Sequence, residues 1–340
     1  MKSARTTIYD QFERKLKDLR ISVIDQCNLR CTYCMPKEVF GEEYPFLEQK
    51  ELLTFNEIAR LAAIFAQLGV NKIRITGGEP LMRKNVYQLI RQLTSIEGID
   101  DIALTTNGFF LPRQAQLLQE SGLKRVNISL DAIADNVFKK INGKGVRTLP
   151  VLKGIEAAQN AGLQVKVNMV VKKGMNDGQI IPMARYFKNK NIILRFIEFM
   201  DVGNYNDWDV NHVVSKEKII QMIHKEMPLV PVEASYYGEV ASRYRYEDGE
   251  GEIGVISSVT DAFCRTCTRL RLSADGKLYT CLFASSGFDL KEKLRKGIDD
   301  EQLEKQLKQL WANRTDRYSE QRFGQHHDER RKIEMFYIGG

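Results

Sequence analysis

Three thiols fall within eight residues at Cys27-Asn28-Leu29-Arg30-Cys31-Thr32-Tyr33-Cys34, spaced C-x3-C-x2-C. No other stretch constrains the chain as much. Thiolates are soft ligands that select iron–sulfur clusters, zinc or copper(I). A [4Fe–4S] cube takes one cysteine per iron, so three local cysteines leave one iron open to a small molecule. Structural zinc usually takes four protein ligands, often in two pairs, and no histidine or fourth cysteine lies close in sequence. A zinc site and a set of buried thiols stay open as alternatives.

The other three of the six cysteines are Cys264, Cys267 and Cys281, giving C-x2-C-x13-C. Two distant triplets read as two metal sites rather than a disulfide framework. Asp275-Gly276 between alternating runs signals a hairpin that returns Cys281 toward the other two thiols. A three-residue loop sets Cys281 opposite Arg269; a two-residue loop shifts the register by one. Zinc completed by His212, His224, His326 or His327 is the alternative here. Arg265, Arg269 and Arg271 crowd the site, and guanidinium forks suit phosphate oxygens.

The 340 residues allow two domains or one large barrel with an extension. At 43% hydrophobic and 28% charged, the chain can bury a core. No apolar run approaches the ~18 residues that span a bilayer, and the N-terminus has no signal-like apolar segment. A cytoplasmic location with reduced cysteines is expected. The net charge of +7 favours an anionic partner without saying which.

Residues 1–18 read as a polar, basic arm. Short β-rich runs then alternate with amphipathic helices. The strands are expected at 19–25, 70–76, 101–105, 124–130, 164–171 and 192–199. The clearest helix starts with a capping box, Thr54-x-x-Glu57, and stops at Gly69; another covers 148–162. Such alternation implies parallel strands with right-handed crossovers, and six units are too few for a closed eight-stranded barrel. Gly77-Gly78-Glu79-Pro80, Thr105-Thr106-Asn107-Gly108, Ser129-Leu130-Asp131 and Glu198-Phe199-Met200 all fall at strand C-terminal ends, where parallel α/β proteins place ligands. By alternation, Arg20, Arg74, Lys166 and Asn168 lie opposite the apolar faces, which predicts a polar, cationic lumen. Buried cations need partners, and a phosphate-bearing substrate supplies them. Beyond a boundary near 225–230, runs at 239–246 and 252–259 read as antiparallel strands, and 289–311 as mostly helical.

The first triplet resembles the signature of the radical S-adenosylmethionine (SAM) superfamily. Together with G-G-E-P, T-T-N-G, S-L-D-A, the second triplet followed by T-R-x-R-L-S, and a terminal Gly339-Gly340, the chain resembles the GTP 3′,8-cyclase family of molybdenum-cofactor biosynthesis from Leu19 to its end. The family often has Thr and Arg where this chain has Ile24 and Gln26, and a glycine in the arm where this chain reads Phe12-Glu13-Arg14.

The resemblance implies a partial (βα)6 TIM-like barrel over 19–227 behind an arm at 1–18. A C-terminal α+β extension over 228–340 would carry the second iron–sulfur site. It implies two [4Fe–4S] clusters, on Cys27, Cys31 and Cys34 and on Cys264, Cys267 and Cys281. Tyr33, Gly78, Ser129 and Met200 would contact SAM. Arg20, Arg74, Thr105, Lys166, Arg195, Arg269, Leu270 and Arg271 would contact GTP. Arg269, Arg271, Lys166, Gly339 and Gly340 are the catalytic candidates. One electron would cleave SAM to methionine and a 5′-deoxyadenosyl radical. That radical would take hydrogen from C3′ of GTP, whose C3′ then attacks C8 of the guanine bound at the second cluster. An electron donor, a homodimer and a downstream cyclic pyranopterin monophosphate synthase are implied as partners; nucleic acid and membrane are not. A peptide-maturing or RNA-modifying radical enzyme, and a zinc-stabilised nucleic-acid-binding protein, are the rival readings.

Overall fold

A computed structural model describes residues 6–323 and 331–339, so Gly340, His326 and His327 lie outside the described residues. Six strands form the centre of the sheet: β1 (Asp18–Ser22), β2 (Lys72–Thr76), β3 (Asp101–Thr106), β4 (Arg125–Ser129), β5 (Gln164–Val171) and β6 (Ile193–Glu198). They pair in sequence order and all in parallel, as the alternation with helices predicts. The C-terminal region adds β7 (Leu229–Val232), β8 (Ser242–Tyr246), β9 (Glu252–Ile256), β10 (Arg269–Leu272), β11 (Lys277–Tyr279) and β12 (Phe288–Asp289). The result is one twelve-stranded sheet in the order β12-β11-β10-β1-β2-β3-β4-β5-β6-β9-β8-β7.

The C-terminal extension therefore continues both edges of the same sheet. β10 joins β1 in parallel and β9 joins β6 in parallel, while β11, β12, β7 and β8 fold back antiparallel. The expected run at 252–259 ends early because residues after Ile256 turn to bind the buried Glu198. Its carboxylate accepts from the amides of Lys216, Val259 and Thr260, each at 2.9 Å. Glu198 is thus a structural tie, not a rim residue.

Local signals explain the helices. Thr54 and Glu57 exchange both capping bonds, at 2.7 and 3.1 Å, and the helix Phe55–Gln67 buries Ile58, Leu61, Ala62 and Phe65. The helix expected over 289–311 is instead two, Lys291–Arg295 and Asp300–Ala312. Gly297 breaks it by taking φ +82°, and Asp299 caps the second piece by accepting from Gln302 N. On β1 and β2, buried Leu and Ile alternate with half-buried charged residues, and on β5 and β6 buried Val, Met, Leu and Phe alternate with a face that carries Lys166, Asn168 and Arg195. The apolar set meets the outer helices in one continuous core, leaving a charged lumen.

Residues 8–16 are not a loose arm. Leu16 and Arg14 are fully buried, and Asp10 Oδ1 accepts from the amides of Phe12 and Arg14, both at 3.0 Å. This tight turn places Glu13 at φ +58°, a conformation that costs a non-glycine residue about 1–2 kcal/mol. Glu13→Gly is therefore expected to leave unfolding stability equal or higher, whereas Glu13→Val lowers it, because a β-branched residue tolerates this conformation worst. Anaerobic denaturant titration checks both; a Val variant as stable as wild type contradicts this account of the turn.

Candidate active site

The loop carrying the first triplet starts five residues beyond β1 and is pinned from outside. Arg30 N and Thr32 N donate to Asn142 O and Ile141 O, both at 2.9 Å. The Arg30 guanidinium fills the inside of the turn, donating to Cys27 O, Leu29 O and Phe40 O at 2.7, 2.8 and 2.6 Å. Burial pushes the Cys27 thiol up to about 12 and raises Cys31 and Cys34 as well. Buried thiols in this state ionise only when a positive centre binds them, which is what a metal cluster does. Among the described residues no three His, Cys, Asp or Glu side chains converge on a single ion.

The rim motifs lock to this loop. Gly78 N donates to Ile24 O at 2.7 Å and Glu79 N to Gln26 O at 2.8 Å. Gly78 fits only because it lacks a side chain: a Cβ there would stand 2.2 Å from Gln26 O. The buried Glu79 carboxylate accepts from Leu81 N (3.0 Å), the Thr106 hydroxyl (2.7 Å) and Asn107 N (2.7 Å). Burial lifts it to about 7 against those three donors. Asn107 Nδ2 then donates to Asn28 Oδ1 at 2.7 Å, inside the triplet. The Tyr33 hydroxyl donates to Asp131 at 2.8 Å; burial raises that carboxyl to about 6. Tyr33, Gly78, Ser129 and Met200 all line one cavity of about 270 Å³.

All six cysteines line that same cavity, but not from one rim. In β10, Arg269 is in register with Asp18 at the start of β1, and Cys267 lies two residues earlier. The β10–β11 register pairs Arg271 with Tyr279; extended by two residues, it sets Cys281 opposite Arg269, the three-residue-loop alternative. The second triplet therefore flanks the strands' N-terminal ends, while the first follows their C-terminal ends. The length of β1 alone separates the two by roughly 13 Å.

Between them lies the positive charge. Arg20 is in register with Arg74 on one side and Arg271 on the other. Arg20, Arg74, Arg195 and Arg269 line both the main cavity and a smaller one of about 50 Å³ at the strand starts. Burial, then repulsion from Arg271, Arg74 and Arg269, holds Arg20 well below the usual guanidinium range. Burial and the neighbouring cations bring Arg195 and Arg271 to about 9 and Lys166 to about 8. Among the described residues, Arg195 hydrogen-bonds to neutral oxygens, Asn168 Oδ1 at 2.9 Å and Asn127 Oδ1 at 2.7 Å. Among the described residues, Arg20, Arg74 and Lys166 have no hydrogen bond or ion pair. At ~5 Å and an effective dielectric near 20, two such charges repel by about 3 kcal/mol. The lumen is built for a polyanion.

Thr105 lines the main cavity, and Lys166 shares the lumen face without reaching either cavity wall. The Leu270 side chain packs in the hydrophobic core, because alternation turns it away from Arg269 and Arg271, which leaves only its backbone to face the lumen. Arg271 donates to the carbonyl of Gly339, which takes φ +70°, and a Cβ there would stand 2.0 Å from Thr76 Cγ2. The tail thus docks at the lumen, with Phe336 packed beside Met35 and Phe40. Sequence reasoning gave no role to Asn107, Asn127, Asp131 or Arg314. The first and third sat inside recognised motifs; Asn127 and Arg314 carried no local signal.

Gly78→Ala is expected to displace the first loop through its clash with Gln26. After anaerobic reconstitution its iron content should fall from about eight to about four per chain. Full iron loading would contradict that geometry.

The chain is similar to known proteins along nearly its whole length. Residues 21–187 match the Radical SAM superfamily and residues 192–320 match Molybdenum Cofactor Synthesis C. The GTP 3′,8-cyclase of Staphylococcus epidermidis is 54% identical over 339 residues, covering 99% of this chain and 100% of that one. The GTP 3′,8-cyclase of Staphylococcus aureus is 53% identical over 336 residues, covering 98% and 99%. Among solved structures, Streptococcus suis SuiB shares the fold at TM-score 0.59 and 15% identity, over 89% of this chain and 67% of that one. With that identity along nearly all its length, the chain belongs to the GTP 3′,8-cyclase family of radical SAM proteins.

Proposed function

We infer that the chain is a radical SAM GTP 3′,8-cyclase. It converts GTP to 3′,8-cyclo-7,8-dihydroguanosine triphosphate, the first step of molybdenum-cofactor biosynthesis. The observation that carries this is one cavity bounded by two cysteine triplets and lined by unpaired arginines. Cys27, Cys31 and Cys34 would hold one [4Fe–4S] cluster, and Cys264, Cys267 and Cys281 the other. When bound, the first supplies the electron that cleaves SAM to a 5′-deoxyadenosyl radical.

The chain's own residues do the rest of the work. Tyr33, Gly78, Ser129 and Met200 shape the SAM end. Arg20, Arg74 and Arg195 face the triphosphate, whose charge removes the repulsion among them. Arg269 and Arg271 stand nearer the second triplet and orient the nucleoside. Leu29, Phe263, Phe283, Met335 and Phe336 line the same cavity and exclude water, which a primary alkyl radical requires. Gly339, with Gly340 beyond it, lets the tail backbone approach closely.

In this reading residues 19–227 carry the radical chemistry and 228–340 the auxiliary site, behind the segment 1–18. A homodimer, an external one-electron donor, a downstream cyclic pyranopterin monophosphate synthase and a cytoplasmic location rest on the family resemblance. Among the described residues no helix is long and apolar enough to cross a membrane.

The test is anaerobic turnover of GTP with SAM and a reductant. Arg74→Ala should raise the KM for GTP by about 10- to 100-fold, since a hydrogen bond to a charged group is worth about 1.5–3 kcal/mol, with iron content unchanged. Lys166→Ala, off the cavity wall, should change it less. Unchanged KM in both, or no GTP consumption by fully loaded wild type, would contradict the assignment.

A further inference from the structure

Behind the second triplet lies a buried charge cluster that the chemistry above does not use. Arg14 Nε donates to Asp10 Oδ2 at 2.6 Å, and its Nη1 to Cys264 O at 2.9 Å and Asp316 O at 2.7 Å. Arg314 Nη1 donates to Cys267 O at 2.9 Å and to Asp10 Oδ2 at 3.3 Å. Its Nη2 stands 3.3 Å from Cys267 Sγ, and its Nε pairs with Asp316 at 3.3 Å. The Arg314 guanidinium also stacks over Trp311, 4.6 Å from the ring centroid, and Trp311 Nε1 donates to Arg14 O at 3.0 Å. Side-chain exposure is 0% for Asp10 and Arg14 and 2% for Arg314.

Arg269 also donates to Cys267 Sγ, at 3.3 and 3.4 Å. It lines the cavity and has no ion pair among the described residues, so an anionic substrate can draw it away. Arg314 and Asp316 border the same cavity, but two carboxylates, a backbone carbonyl and an indole hold the Arg314 guanidinium in place. Of the two guanidiniums on this sulfur, one is committed to the protein and one is available to the ligand.

We propose that Arg314 is a positioning residue for the second cysteine site, fixing the Cys267 sulfur and setting the reduction potential of the cluster bound there. Asp10 and Arg14 hold it in place. A fixed cation that donates to a ligating sulfur favours the more negative, reduced state. This rests on the two-cluster reading above.

The test uses reconstituted holoenzyme, wild type against Arg314→Gln and Arg314→Lys, with iron counts, chelator-driven iron release and redox titration followed by EPR. Wild type should hold about eight irons; markedly fewer would overturn the two-cluster reading and this inference with it. Given eight, Arg314→Gln should shift only one of the two cluster potentials, to a lower value, and release about half its iron several-fold faster. If the Gln variant does not hold the second cluster, the Lys variant decides. It keeps the charge and loses the fork, so a smaller downward shift and faster release support the proposal. Potentials and release rates equal to wild type in a variant holding eight irons would overturn it while leaving the two-cluster reading intact.

Discussion

Arginines packed side by side in a lumen, where Asp18 and Asp101 lie near but make no ion pair with Arg20 or Arg74 among the described residues, are the constraint on which the rest depends. Arg20 stands in register between Arg74 and Arg271, and their mutual repulsion is not relieved by any ion pair among the described residues. The fold tolerates this because the outer faces of the same strands are almost wholly apolar and buried. Burying a Val, Leu, Ile, Phe or Met side chain is worth roughly 1.5–3 kcal/mol, and each central strand contributes at least two. Asn127 and Asn168 give Arg195 neutral acceptors, which orient it without cancelling its charge.

The sheet then decides where chemistry can occur. Because β10 pairs in parallel with β1, the second triplet is delivered to the strand ends opposite the first. A chamber results with sulfur donors at both ends and cations along its length. A ligand polar at one end and polyanionic elsewhere spans it; one site alone would not fix its orientation. The docked tail and its buried Phe336 narrow this chamber from the side of the first triplet.

Much of this is written locally in the chain. The capping box at Thr54, the alternation on β2 and the glycine pair beside the first triplet each specify their own neighbourhood, and the structure follows them. The lumen face of Lys166 was legible by the same alternation, and so was the burial of the Leu270 side chain between two lumen-facing arginines. What was not legible depends on distant pairing. Residues 18 and 269 meet across the sheet with no local mark, so the placing of the second triplet at the opposite strand ends was not readable from the chain. Asp10, Arg14 and Arg314 carry no local signal because only the folded chain brings them together. Gly297 splits a helix that its leucine spacing alone would have continued.

The central claim is that two clusters share one chamber, each open to a different ligand. EPR of the fully reduced, reconstituted protein tests this most directly. The account predicts two cluster signals, one altered by SAM and the other by GTP, each without the other ligand present. A single signal, or two signals of which neither responds to GTP, would contradict it.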